Sequence, residues 1–348
     1  MTPTPLSVST PGSTPGDLAP IRLGTRASAL ATTQSGLVAR RLEELTGRPV
    51  ELVHIRTEGD VKTGSLASLG GTGVFVTALR EALLDGRCDV AVHSLKDLPT
   101  TPADGLTFVT PEREDPRDAL CARDGLTLAT LPHGGRVGTG SPRRAAQIRA
   151  ARPDLDVVDI RGNVGTRLNR ALGPDADLDA VVLAYAGLSR LDRTDVISEI
   201  LDVDVVAPAP GQGALAVEVR TADIASEPGT PPRAPDLAEA IHLLDHRPTR
   251  LAVLAERAVL ARLEAGCAAP VGAHATVSGT ALGLRAVVAA VDGSEQMSRT
   301  AETRLSLDVA PETIDAAARA LGVAVAEHLL ADGAERLAPL SASVPEKA

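Results

Sequence analysis

The sequence predicts an α/β protein: two similar doubly wound lobes flanking a cleft, followed by a smaller α+β unit. Three observations carry this. Short apolar strand candidates alternate with helical patterns, the signature of a sheet covered by crossover helices. The alternation restarts after Leu120, and the two runs open on similar words, Arg22-Leu23-Gly24-Thr25 and Arg136-Val137-Gly138-Thr139. A third block with a different rhythm follows a Gly-, Pro- and Ser-rich stretch at Ser226–Pro235. At 348 residues the chain suits two or three domains.

In order, Ile21–Gly24 reads as a strand, Ala29–Leu45 as a helix, Val50–Ile55 as a strand, Phe75–Leu84 as a helix and Val90–His93 as a strand. In the second run Arg136–Gly138 is a strand, Pro142–Ala151 a helix, and Val157–Ile160 and Ala180–Ala184 are strands. The strands are solidly apolar, as a sheet buried on both faces requires. Thr25 or Ser28 is placed to cap the first helix; Ser141 caps the second run's helix, with Pro142 at its first position. Both turns then present a helix N-terminus at the carboxyl edge of a sheet, where open α/β sheets bind ligands and where anions are favoured. In the third block a helix over about Arg250–Glu264 is expected to stop at Gly266, leaving Cys267 on a loop before Pro270. Strands around Ala275–Val277 and Leu284–Val291 and a helix over Pro311–Leu330 complete it.

Composition narrows the function. Hydrophobic residues make up 44 %, aromatic residues only 1 %, and there is no Trp, which argues against base-stacking platforms and a membrane belt. No apolar run approaches the ~20 residues of a membrane span. The first nineteen residues, rich in Pro, Ser and Thr, read as a disordered tail and not a signal peptide. Three scattered cysteines, Cys88, Cys121 and Cys267, fit neither a disulfide framework nor a zinc site, and point to a reducing, cytoplasmic compartment. The net charge of −10 disfavours nucleic acid as a partner. Yet Arg136–Arg170 holds eight arginines against three aspartates, a local +5 that leaves −15 on the rest. A solvated helix face is the bland reading of such a cluster; arginines at strand ends favour an anion site.

Two segments carry the candidate chemistry. Ala91–Thr100 (AVHSLKDLPT) sets Lys96 and Asp97 just past a buried strand. A neighbouring cation keeps a carboxylate ionised, although an isolated Lys-Asp pair is more often a surface ion pair. His93 reads as a satisfied strand-end histidine. GTGSPRR (Gly138–Arg144) offers free backbone amides and then adjacent arginines, which point about 100° apart and so are suited to two different carboxylates. RGNVGTRLNR (Arg161–Arg170) repeats the arrangement at another strand end. Arginines in a first helical turn oppose the dipole by roughly 0.3–1 kcal/mol each, which a bound anion offsets. A P-loop is excluded, since no Gly-Lys-Ser/Thr follows a glycine-rich loop. Spacing alone does not rank Cys267 above Cys88 or Cys121.

At these residues the chain resembles the porphobilinogen deaminases, or hydroxymethylbilane synthases. The resemblance is carried by IRLGTRASALA, VHSLKDLPT, EREDPRDAL, GTGSPRRAAQI, RPDLDVVDIRGNVGTRL, LAYAGLSRL, APAPGQGALAVEVR and AERAVLARLEAGCAAPVGAHA, in the family's order, from Ile21 to Leu337. It implies a periplasmic-binding-protein-like pair of lobes, with residues 20–114 and 212–230 in the first, 115–211 in the second and 236–340 in a third domain. It implies a transferase of tetrapyrrole and heme biosynthesis, a cytoplasmic monomer. This enzyme joins four porphobilinogen molecules head to tail, releasing ammonia at each step, and frees the linear product by adding water. Its dipyrromethane cofactor hangs by a thioether from a loop cysteine, which falls on Cys267. The family's catalytic aspartate falls on Asp97, beside Lys96. Its binding groups fall on Arg26, Ser28, Thr139, Ser141, Arg143, Arg144, Arg161, Arg167, Arg190 and Gln212. The chemistry agrees with the residues: each pyrrole carries an acetate and a propionate, and loss of ammonia leaves a cation that a fixed carboxylate stabilises.

The chain departs from the family where two lysines of a glycine-rich loop are replaced by Ser68 and Thr72, with Lys62 a possible substitute; Gly70, Gly71 and Gly73 still suit a lid. Gly140 and Pro142 also replace commoner choices. Two other functions share some of these features. A non-catalytic anion-binding protein explains the lobes and arginines but gives Asp97 and the third block no role. A nucleic-acid-binding protein is opposed by the acidity and the lack of aromatics.

Overall fold

The computed structural model describes residues 19–55, 73–225, 232–265, 269–306, 308–338 and 340. The expected N-terminal tail as far as Leu18, the segment with Lys62, Ser68, Gly70, Gly71 and Thr72, and Gly266 with Cys267 lie outside the described residues.

The first run folds as β1 (Ile21–Thr25), α1 (Ala29–Thr46), β2 (Val50–His54), α2 (Gly73–Leu84), β3 (Val90–Ser94) and β4 (Leu106–Val109). The second gives β5 (Asp118–Ala122), β6 (Arg136–Thr139), α3 (Pro142–Ala151), β7 (Asp156–Asp159), α4 (Val164–Leu172), β8 (Ala180–Ala184), α5 (Tyr185–Arg190) and β9 (Glu199–Ile200). Next come β10 (Leu215–Arg220), α6 (Thr221–Ile224), α7 (Pro235–Leu244) and α8 (Arg247–Arg262). Strands β11 (Val271–Ser278), β12 (Ala281–Ala289) and β13 (Gln296–Arg304) and helix α9 (Pro311–Ala331) follow.

Two five-stranded sheets share one plan. Their orders are β2-β1-β3-β10-β4 and β7-β6-β8-β5-β9. In each, the first three strands are parallel and the fourth is antiparallel to both of its neighbours. The chain crosses between the lobes twice, after β4 and after β9, and β10 returns to complete the first sheet.

The repeated word Arg-x-Gly-Thr occupies equivalent strands, β1 and β6, and its glycine has a physical reason. A Cβ on Gly24 would lie 2.8 Å from Cys88 Sγ, and one on Gly138 would lie 2.6 Å from Leu178 Cδ1. Ser28 and Ser141 cap α1 and α3 by accepting from Ala31 N and Arg144 N. The third unit is an antiparallel sheet, β11-β12-β13, with α8 and α9 packed against it around Val259, Ala286, Ala318 and Val325.

The structure differs from the expectation at several elements. Helix α8 begins earlier, at Arg247, and ends at Arg262; Glu264, at φ 50°, makes the left-handed turn expected of Gly266. Strand β13 (QMSRTAETR) was hidden by its polar sequence, which an edge strand tolerates. Strands β5 and β10 are buried along almost their whole length. Neither was among the strands expected from the sequence.

Candidate active site

Asp97 and Lys96 occupy a 3-10 turn, Leu95–Asp97, at the carboxyl end of β3. Leu95 anchors the turn: it is fully buried, and its N–H donates to Ala214 O at 3.0 Å. The two charged side chains emerge half-buried. Lys96 Nζ lies 3.4 Å from Gln212 Oε1. Burial, with the positive charges of Arg144 and Arg143, brings Lys96 down to about 8 against the pull of Asp97 and Asp118. The ammonium therefore belongs to the same electrostatic cluster as the second lobe's arginines. His93 is spent elsewhere. It is buried, with Nε2 3.0 Å from Glu218 Oε2, and Arg80 Nε donates to the same carboxylate at 3.0 Å. Burial alone would raise Glu218; the proximity of His93 and the bonds from Arg80 hold it below the usual range.

Opposite stands the first turn of α3. Arg143 and Arg144 are only 3 % and 5 % exposed. Sequence reasoning gave them two different ligand carboxylates; instead both grip one internal carboxylate, Asp118 at the head of β5. Arg143 Nη2 donates to Asp118 Oδ2 at 2.8 Å and Arg144 Nη2 to Oδ1 at 2.7 Å. Gln212 Nε2 completes the cluster at 2.7 Å. The physical reason is desolvation, since two guanidiniums buried without a counter-ion are costly. Burial would raise Asp118, but Arg143 and Arg144 outweigh it and hold the carboxyl far below its usual range. Arg143 also donates to Ala207 O and Arg144 to Val182 O. The Nε of each arginine remains buried without a hydrogen-bond partner.

The other expected residues fall in four places. Thr139 is buried at the end of β6, its Oγ1 accepting from Ser141 N, so these two shape the turn before the arginines. Arg161 is exposed and paired with Asp159 at 3.1 Å. Arg167, half-buried on α4, donates to Gly162 O at 2.8 Å. It is lowered by burial and by Arg144 and Arg161, while Asp159 and Asp97 oppose the shift. Asp97 is thus felt across the cleft by the second lobe. Arg26 is half-buried on the β1–α1 turn, and Ser28 caps α1. Helix α1 is tied to the end of β3 by Gln34 Nε2 on Ser94 Oγ at 3.1 Å. Arg190 ends α5 and is bound to the crossings: its Nη2 donates to Gly213 O at 2.6 Å, and neighbouring Ser189 Oγ bonds Glu114.

Sequence reasoning missed Asp118, Arg113 and Glu256. The only signal for Asp118 was an acid heading the apolar word DALCA. Arg113 Nε donates to Gln212 O at 2.7 Å and its Nη1 to Glu256 Oε1 at 2.7 Å. Glu256, fully buried on α8, also accepts from Gly211 N and Ala275 N. One carboxylate therefore joins both crossings to the third unit. Cys88 and Cys121 are fully buried free thiols; burial raises Cys88 and pushes Cys121 up to about 12. Neither is available as a thiolate.

Residues 21–227 match the family model described as the porphobilinogen deaminase dipyrromethane cofactor binding domain, and residues 250–331 match the family's C-terminal domain. The chain belongs to the porphobilinogen deaminase family. Porphobilinogen deaminase of Micrococcus luteus is 54 % identical, over 92 % of this chain and 95 % of that one. The porphobilinogen deaminase of Cutibacterium acnes is 55 % identical over 93 % and 98 %, and that of Thermobifida fusca 53 % over 91 % and 95 %. A solved periplasmic binding protein of Salmonella typhimurium aligns far more loosely, at 14 % identity over 65 % of this chain and 93 % of that one, with a TM-score of 0.36.

The residues present fit the porphobilinogen deaminase cofactor. A dipyrromethane with acetate and propionate side chains needs concentrated cationic donors, and the cleft supplies Lys96, Arg143, Arg144 and Arg167. The unpartnered Nε of Arg143 and of Arg144 are donors in reserve. Buried donors without partners are uncommon and call for an explanation.

Proposed function

We propose that Asp97 stabilises positive charge while the chain carries out its family's reaction, the head-to-tail condensation of four porphobilinogen molecules into hydroxymethylbilane with loss of ammonia. One observation carries this reading: Gln212 links the carboxylate–ammonium turn at the end of β3 to the Arg143–Asp118–Arg144 cluster of the other lobe, its Oε1 3.4 Å from Lys96 Nζ and its Nε2 donating to Asp118 Oδ1 at 2.7 Å. A dipyrromethane bound through Cys267 would supply the free pyrrole α-carbon that takes the first unit, and each later unit would add to the free α-carbon of the pyrrole before it. Cys267 is supported as its attachment because the other two cysteines are sealed and their thiols raised.

Asp97 accepts hydrogen bonds from pyrrole N–H groups and stabilises the positive charge that develops as ammonia departs. Lys96, Arg167 and the Arg143–Arg144 pair orient the acetate and propionate groups, with Arg26, Ser28, Thr139, Ser141, Arg161, Arg190 and Gln212 extending or shaping that surface. With Lys96 near 8, its ammonium is also able to exchange a proton with the departing amine close to neutrality. The pairing of β10 with β3 and β4 supports assigning residues 212–230 to the first lobe with 20–114, leaving 115–211 as the second and 236–340 as the third domain. The buried free thiols of Cys88 and Cys121 suit a reducing cytoplasm. Among the described residues no helix is long and apolar enough to cross a membrane.

Intact mass spectrometry of the purified protein tests the reading. The expected result is a mass increase of one dipyrromethane on the Cys267 peptide, absent from Cys267→Ser. Asp97→Asn should keep that mass and lose roughly 10²–10³ in turnover. An unmodified protein that does not consume porphobilinogen after reconstitution overturns the reading, and near-normal turnover by Asp97→Asn overturns the role of Asp97.

A further inference from the structure

Arg257 stands one residue beyond Glu256 on α8 and reaches the turn that bears Asp97. Its Nη1 donates to Leu98 O at 2.9 Å and to Leu95 O at 3.4 Å, and its Nη2 donates to Pro99 O at 2.5 Å. The guanidinium also lies 5.9 Å from the centroid of the Phe108 ring. One cation from the third unit thus collects carbonyls on both sides of Lys96-Asp97. Buried Leu95 and Leu98 seat the turn in a small apolar cluster with Val253 of α8, but its backbone bonds are few: Leu98 N donates to Leu95 O, and Leu95 N to Ala214 O. A three-residue 3-10 turn is weakly determined by its own hydrogen bonds. The planar fork of arginine can serve several carbonyls at once, which a lysine ammonium does less well.

We propose that Arg257 is a positioning residue for the reaction: it clamps the Leu95–Pro99 turn so that Asp97 and Lys96 face the arginines of the second lobe. This rests on the reading of the site given above. The clamp has a wider consequence. Glu256 binds both interlobe crossings and Arg257 binds the turn, so two successive residues of α8 tie the geometry between the lobes to the position of Asp97. Because chemistry at such a carboxylate tolerates little displacement, loosening the turn should slow the reaction while leaving the carboxylate-binding arginines intact.

The test uses the full-length holoenzyme. Wild type, Arg257→Gln and Arg257→Lys are compared for cofactor content by intact mass, for melting temperature, and for kcat and KM with porphobilinogen. Arg257→Ala is assayed with and without millimolar guanidinium. The expected result is retained cofactor, KM within about threefold of wild type, and kcat lowered by about 10²-fold in Arg257→Gln. Arg257→Lys should lose about tenfold, and guanidinium should restore part of the activity of Arg257→Ala. Should Arg257→Gln not accumulate, the split between kcat and KM in Arg257→Lys decides the matter. Cofactor-loaded Arg257 variants that melt earlier but turn over within about threefold of wild type overturn the positioning role alone. A wild-type holoenzyme inert toward porphobilinogen overturns both this role and the reaction it serves.

Discussion

Replacing Asp118 by Asn isolates the internal carboxylate that holds the arginine pair. In the wild type its two oxygens answer two guanidiniums and Gln212, at 2.7–2.8 Å, with Arg143 and Arg144 only 3 % and 5 % exposed. An asparagine offers one acceptor and turns an NH2 toward a second cation, so at least one buried guanidinium loses its counter-charge. Breaking a buried pair in this way costs about 3–5 kcal/mol. The protein has no Trp and one tyrosine, Tyr185, beside Ala184, the residue that pairs with Asp118 across the sheet. Tyrosine fluorescence during urea unfolding therefore reports the second lobe selectively. Measured in a Cys267→Ser background, which lacks the cofactor's carboxylates, the loss should be near the full value. With cofactor bound it should shrink, because ligand carboxylates can take over from Asp118. Asp118 is held below its usual range, so its contribution is present above the unfolded value near ~3.9 and disappears only as pH falls through the lower folded value. The difference between wild type and variant should thus be flat from about pH 5 to about pH 8. A cofactor-free Asp118→Asn protein within about 1 kcal/mol of its parent would refute the account of the pair as a buried ion cluster.

Lys96, lowered to about 8 by burial and by Arg144 and Arg143, should gain a proton when anionic substrate binds. Near pH 8, calorimetry in buffers of different ionisation heat should show proton uptake, and affinity should weaken toward about pH 9, with Lys96→Gln removing both effects; a buffer-independent heat would count against this. Because the folded value lies below the unfolded one, near ~10.4, protonated Lys96 costs stability below about pH 8, and that cost fades as pH rises between the two values. Gly293, at φ 79°, seats the β12–β13 turn on the helix carrying the arginine pair: a Cβ there would lie 2.5 Å from Arg149 Cβ and 2.8 Å from Ala150 N. Gly293→Val should lower stability by about 1–3 kcal/mol and loosen substrate binding; an unchanged melting temperature and KM would dismiss the contact.

The parts of this molecule legible in its sequence are those set by local chemistry. Ser141-Pro142 announces the start of α3 because a hydroxyl cap and a ring without an N–H are what a first helical turn accepts. The repeated Arg-x-Gly-Thr was readable because close packing leaves no room for a side chain at either glycine. What stayed hidden was set by distant partners. Adjacent arginines leave a helix about 100° apart, and that angle suggested two targets; long side chains reconverge when one carboxylate is brought between them by a strand that begins 25 residues earlier. Glu256 looked like one more polar position on a helix, and its meaning appears only when Arg113, Gly211 and Ala275 arrive from separate segments. Strand β13 was missed because edge strands need no apolar alternation.

The internal carboxylates bear on how a site filled by a growing polyanion can exist before it is filled. Arg143 and Arg144 share Asp118, Arg161 is paired with Asp159, and the charge of Glu114 acts on Arg190. A cleft of bare buried guanidiniums would repel itself when empty and would bind the first carboxylates too tightly to pass a chain onward. Resident carboxylates make the empty cleft stable and turn binding into exchange, in which substrate groups compete with aspartates for the same donors. Two kinds of pair then coexist in the second lobe. Exposed Arg161 and Asp159 are screened by salt and able to separate, whereas the sealed Arg143–Asp118–Arg144 cluster is little screened and holds its geometry. Elongation under rising salt should therefore weaken first in the contacts made near Arg161, while the grip around Asp118 persists.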